Sequence, residues 1–150
     1  MSLGRVGGVY AALHAGHTVG DYWVQTNHQA QVKGEPGIDG QHACATHVAA
    51  LTVTQAAFIA IACAATGERV SARRTAVGLA VNAASHYAID RRDHGVMPPL
   101  CRALRRFGKE DFAEVGKPGL ASGAAYLDQA WHIGWCAISA AIIAGGTERP

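Results

Sequence analysis

Three histidine–aspartate pairs, each four residues apart and each inside an apolar run, constrain this chain more than any other feature. They are His17-x3-Asp21, His86-x3-Asp90 and Asp128-x3-His132. On an α-helix, residues four apart sit nearly above one another, so each pair makes a polar stripe on an otherwise apolar helix. In the first run the spacing continues to Gln25, while Val19, Tyr22, Trp23 and Val24 are apolar. An isolated ionised carboxylate is costly in a low-dielectric interior, and a bound cation offsets that cost. The pairs therefore predict helices whose stripes meet at a divalent-metal site.

The apolar runs are four, at about 6–26, 43–66, 75–90 and 124–144. In the first, Gly16-x3-Gly20 lets a second helix approach closely, as small-residue pairs do in membranes; glycine is unfavourable in a water-exposed helix. In the second, residues 48–65 hold eighteen positions without a charge, the lower length limit of a spanning helix. Thr52, Thr54 and Gln55 make that run mildly polar, and Gly67 ends it. The third run is short for a span unless the preceding residues extend it. Residues 27–41 read as a polar loop through Lys33-Gly34-Glu35-Pro36-Gly37 and Asp39-Gly40. After Asp90 comes a long connection to about residue 122, with Pro98-Pro99 and then a short basic amphipathic helix over 100–107. Such a helix suits an anionic membrane surface or, with equal weight, a solvated connector.

Composition narrows the class. Charged residues are 16% of the chain, below the roughly 25% usual for soluble domains, and 49% are apolar, yet the mean hydropathy is only +0.08. At 150 residues the reading is one all-α domain over 1–150. It is an antiparallel bundle of four principal helices, expected to be transmembrane, with the amphipathic helix between the third and fourth. A net charge of +2 argues against nucleic acid as the main partner. Cys44, Cys63, Cys101 and Cys136 have no CxxC or zinc-finger spacing and read as packing residues. The N-terminus lacks the pattern of a secretory signal.

In an up-down-up-down bundle, His17, Asp21 and Gln25 end the first helix and His47 lies near the start of the second. His86 and Asp90 end the third, and Asp128 and His132 open the fourth. All these ends fall on one side, so four histidines and three aspartates share one layer. Imidazole with carboxylate suits Zn, Mn or Fe better than Ca or Mg. Seven candidate ligands exceed the four of a structural zinc, which admits two ions, or one ion with supporting carboxylates. In a hydrolase, Asp21 or Asp128 would be the base. GxSxG, HExxH and P-loop patterns are missing. His14, His28 and His94 read as bland, while His42 could substitute for His47. The competing reading of the same layer is a structural hydrogen-bond network.

Taken with their spacing, His17-x2-Gly20-Asp21-Tyr22-x2-Gln25-Thr26, His47, Ser85-His86-Tyr87-x2-Asp90 and Asp128-Gln129-x2-His132 resemble domain-of-unknown-function family 3307. That family comprises small bacterial multi-helix membrane proteins, and the likeness, to actinobacterial members above all, runs over about residues 10–144. The family is distantly similar to proteins described as membrane-bound metal-dependent hydrolases. Some actinobacterial members are labelled transcriptional regulators, but no helix-turn-helix or basic recognition helix is present here.

The resulting expectation is a membrane-embedded divalent-metal-dependent hydrolase of the bacterial inner membrane, acting on a phosphoester or lipid-like substrate. Membrane lipid would be its surroundings, and a homo-oligomer is left open. The alternative is a non-enzymatic membrane-associated accessory protein whose His/Asp layer is structural; a metal-ion carrier would need a polar path through the bundle. Motif-side loops carry Lys33, Arg91, Arg92, Arg102, Arg105, Arg106, Lys109 and Lys117 against Arg5, Arg69, Arg73, Arg74 and Arg149. Positive-inside reasoning then turns the metal layer towards the cytoplasm.

Overall fold

Helix starts and stops follow local chemistry. In a computed structural model, which describes residues 2–109 and 123–145, Ser2 accepts a hydrogen bond from the Arg5 N–H and opens α1 (Leu3–Val19). Thr26 and Gln29 form a reciprocal capping box at α2 (Asn27–Val32). Pro36 precedes α3 (Gly37–Thr66), which stops at Gly67 in the left-handed region (φ 72°). Ser71 caps α4 (Ala72–Asp90). α5 (Met97–Arg105) begins with proline in its first turn, and α6 is Gly123–Ala144. The described residues are all helical or irregular, with no strand among them.

The four long helices α1, α3, α4 and α6 form a ring in which α1 packs on α3 and α6, and α4 packs on the same two. Neighbours run antiparallel. The end of α1 meets the early turns of α3 at His17, Asp21 and His47, and the end of α4 meets the start of α6. Leu13, Ile59, Cys136, Ala140 and Ile143 fill the half of the bundle away from the His/Asp layer. Gly16 and Gly20 do what their spacing predicts. A Cβ on Gly16 would lie 2.7 Å from the Gln55 Cα, and one on Gly20 would lie 3.1 Å from the Leu51 side chain. α1 and α3 therefore touch nearly backbone to backbone.

Several sequence expectations need correction. The stripe does not continue evenly from Asp21 to Gln25. Residues Gly20–Val24 form a wider π-type turn, closed by the Gln25 N–H on the Gly20 carbonyl at 2.9 Å, and Gln25 is extended. Such turns are frequent at functional sites. Residues 27–41 are not simply loop, since α2 lies there and α3 starts at Gly37. The third helix does extend backwards, to Ala72. The amphipathic helix starts earlier than expected, at Met97, because proline is tolerated in a first turn.

Among the described residues one helix, α3, is long and apolar enough to cross a membrane; its best eighteen-residue stretch has a mean hydropathy of 2.0. Four such spans were expected. α1 is diluted by glycine and histidine, α4 by Arg73, Arg74, Asn82, Ser85, His86 and Asp90, and α6 by Asp128, Gln129 and His132. Lys117, Arg149 and residues 110–122 of the long connection lie outside the described residues.

Candidate metal centre

All seven predicted residues come together in one layer at one end of the bundle. His17 and Asp21 come from α1 and the turn after it, His47 from the third turn of α3, His86 and Asp90 from the end of α4, and Asp128 and His132 from the start of α6. His17, His47, His86, Asp90 and His132 are buried. The Asp21 side chain is 10% exposed and that of Asp128 27%, so solvent reaches the layer most readily at Asp128. Trp131 holds α6 against α4 by donating its indole N–H to the Ser85 carbonyl at 3.1 Å.

Four donor atoms from α3, α4 and the π-turn crowd one point. His47 Nε2 lies 3.1 Å from His86 Nε2, 3.3 Å from Asp21 Oδ1 and 3.3 Å from Asp90 Oδ2. His86 Nε2 lies 3.6 Å from Asp21 Oδ1 and 3.0 Å from Asp90 Oδ2. A tetrahedral ion with bonds of about 2.0–2.1 Å has ligand-to-ligand edges of about 3.4 Å. Five of the six edges of this set, all but Asp21 to Asp90, therefore fall around the expected value. An imidazole N–H points along one axis and serves one acceptor, so these short contacts cannot all be aligned hydrogen bonds. Asp21 Oδ1 accordingly has no hydrogen-bond partner although it is buried.

Beside it lies a second set. His132 Nε2 is 3.4 Å from Asp128 Oδ2 and 3.9 Å from Asp90 Oδ1, so the two Asp90 oxygens face the two sets. The His17 and His132 rings are 4.7 Å apart, and both Nε2 atoms are buried without a hydrogen-bond partner. Among the described residues, three groups have ligand atoms close enough to hold an ion: Asp21, His47 and His86; Asp90, Asp128 and His132; and His17, His86 and His132. The donor set is the mixture of imidazole and carboxylate that first-row divalent metals accept.

Two cations were missed by sequence reasoning. Lys33, assigned to a loop, is buried, and its Nζ donates to Asp90 Oδ2 at 2.8 Å. Arg91 is buried too; its guanidinium donates to the carbonyls of Lys33 (2.7 Å) and Glu35 (2.9 Å), tying residues 33–35 to the end of α4. Arg92 reinforces this through the Ala30 carbonyl at 3.2 Å. The faint signal was two arginines directly after a ligand aspartate. Below the layer, Gln55, Asn82, Cys136 and Ser139 form a further buried polar group, with both amides donating to the Cys136 sulfur. His28, His42 and His94 are exposed, which leaves His47 as the histidine of α3 in the layer. His14 is half-buried, stacked on Tyr10 with ring centroids 5.8 Å apart. The four cysteines are free, and Cys44 and Cys136 are packed in the interior.

No protein-family model matches the chain, and no curated protein or solved structure matches it either. The geometry of the layer stands on its own.

Proposed function

We propose that the His/Asp layer binds divalent metal in a membrane-inserted bundle and that the centre is hydrolytic. The observation that carries this is the crowding of Asp21, His47 and His86 ligand atoms, with Asp90 Oδ2 against both imidazoles and Asp90 Oδ1 turned to a second set. Its chemistry suits Zn, Mn or Fe, and the sharing of Asp90 suits two ions. Three carboxylates against the Lys33 ammonium leave two negative charges in a mostly buried layer. Burying such charge costs several kcal/mol per ion, which bound metal offsets. When bound, the ion would supply Lewis-acid activation of water and of an acyl or phosphoryl oxygen. His17, Asp21, His47, His86, Asp90, Asp128 and His132 would hold or support it. Asp128, the most exposed carboxylate, would accept the proton from water, with Asp21 as the less accessible candidate. Kinship with family 3307 rests on the four motifs.

The second reading, an accessory protein with a structural layer, is favoured by a different observation. A cavity of about 360 Å³ between α1 and α3 is lined by Arg5, Val9, Ile59 and Val70, at the end opposite the layer. It offers the layer no substrate pocket.

Elemental mass spectrometry of purified protein, reloaded with Zn, Mn or Fe, tests the metal. At least one ion per chain is expected in the parent and in His94→Ala, and none in a folded Asp21→Ala/His86→Ala double variant. A well-folded parent that stays empty after reloading would overturn the proposal. Chelation separates the two readings: unfolding on metal removal supports the structural role, while retained fold supports the hydrolytic one.

A further inference from the structure

Lys33 is placed with more care than a neutralising charge needs. Its side chain is only 11% exposed, and its Nζ meets the same Asp90 oxygen that faces His47 and His86. Its backbone is fixed from both sides. Arg91 binds the Lys33 and Glu35 carbonyls, and Gly40 leaves no room for a Cβ, which would sit 2.0 Å from the Glu35 carbonyl oxygen. The segment after α2 is thus strapped over the layer with its ammonium pointing in. An ammonium carries three N–H donors, and Asp90 Oδ2 is the sole partner of this one among the described residues. That oxygen is oversubscribed by two imidazoles and the ammonium. A cation that took this oxygen would compete with the Lys33 N–H groups for it and leave them open to another acceptor. Two divalent ions would also reverse the sign of the layer, since the three carboxylates offset only part of their charge and the ammonium adds to it. A loaded layer would then attract an anion from the polar side.

We propose, on the footing of the metal centre above, that Lys33 is a specificity-determining residue that binds the phosphate group of an anionic substrate at that centre. It favours phosphate-bearing esters over neutral esters and glycerides. The ammonium supplies a point charge and rotating donors, the form in which lysine binds phosphate. Its place beside a ligand oxygen would put the bound phosphate next to the ion.

The test uses full-length protein in detergent, loaded with Mn²⁺, and inorganic phosphate as the probe. Relaxation of the ³¹P signal by the bound Mn²⁺ reports phosphate at the centre, and metal content is measured on the same samples. The parent is expected to bind phosphate, Lys33→Gln to bind it about tenfold or more weakly at unchanged metal content, and Lys33→Arg to recover most of the affinity. Equal phosphate affinity in Lys33→Gln, or loss of metal rather than of phosphate, would overturn the role of Lys33. A parent that takes up Mn²⁺ but no phosphate would overturn the anion site and leave the metal centre standing. A parent without Mn²⁺ would overturn both. Repeating the titration in phosphatidylcholine nanodiscs with and without phosphatidic acid separates the sources. Displacement of phosphate by phosphatidic acid supports a lipid headgroup as the natural ligand, and no displacement supports a soluble phosphate ester.

Discussion

Asp90 is the residue on which the layer turns. One of its oxygens lies 3.0 Å from His86 Nε2, 3.3 Å from His47 Nε2 and 2.8 Å from Lys33 Nζ, while the other faces His132 at 3.9 Å. Asp128 touches one histidine and is partly exposed. The two carboxylates should therefore respond differently to neutralisation. Asp90→Asn keeps the shape but removes the charge shared by both sets, and it is expected to weaken metal binding by about 100-fold or more. That exceeds the 10–100-fold cost usual for a merely supporting partner. Asp128→Asn should leave the first ion in place and lower occupancy only at the second. Competition with a metal-sensing chelator measures both, and equal losses would argue against a shared Asp90.

The spacing of the ligands was legible in the sequence because it is local. His17 to Asp21, His86 to Asp90 and Asp128 to His132 each lie within one helical turn, and serial antiparallel helices bring such turns to one end. Lys33 was not legible. Its partner lies 57 residues away, and Lys-Gly-Glu-Pro-Gly has the composition of a solvated turn. Only the buried Arg91 behind it turns that turn into a strap.

Helix packing carries the layer, and its weakest tolerance lies where α1 crosses α3. The added Cβ on Gly16 would meet backbone, the Gln55 Cα at 2.7 Å, which cannot swing aside as a side-chain tip can. Gly8 has nothing within 4 Å of the same position. Gly16→Ala is thus expected to lower stability by about 1–3 kcal/mol, as overpacking does, whereas Gly8→Ala should be neutral or mildly stabilising. Because His17 and Asp21 ride on the displaced helix, Gly16→Ala should also reduce metal uptake. Thermal unfolding in detergent, with metal analysis of the same samples, checks both effects. The helices were legible to within a few residues at most ends. The exceptions were the π-type turn and the early starts of α3, α4 and α5, which depend on how a cap or a wider turn resolves, and periodicity is blind to that.

At the scale of the molecule, the bundle leaves most of α3 uncovered. Its apolar residues run all round it, and only 22% of its most apolar stretch is buried, with Val53 70% and Ile61 62% exposed. A helix apolar on every side belongs in a protein core or in lipid, and this bundle does not supply the core. The helix is thirty residues, about 45 Å at 1.5 Å per residue, against a hydrocarbon thickness of about 30 Å. The excess of about 15 Å matches the nearly three turns before His47, so a span made of the apolar remainder would leave the His/Asp layer near the interface. There Tyr22 and Trp23, 67% and 85% exposed, suit the aromatic belt. Lys33 and Arg91 are buried, so they drop out of the positive-inside count read from the sequence. Replacing Val53 and Ile61 together by lysine separates lipid from water. A lysine near the centre of a spanning helix costs about 2.5–3.5 kcal/mol, so the double variant should fail to enter the alkaline-carbonate-resistant membrane fraction. If α3 instead faces water, the same charges would be harmless there, and the variant would be found soluble with the parent's metal content and melting temperature. If a second copy covers α3, the variant would dissociate to monomer in size-exclusion chromatography while the parent, isolated without detergent, ran as a dimer.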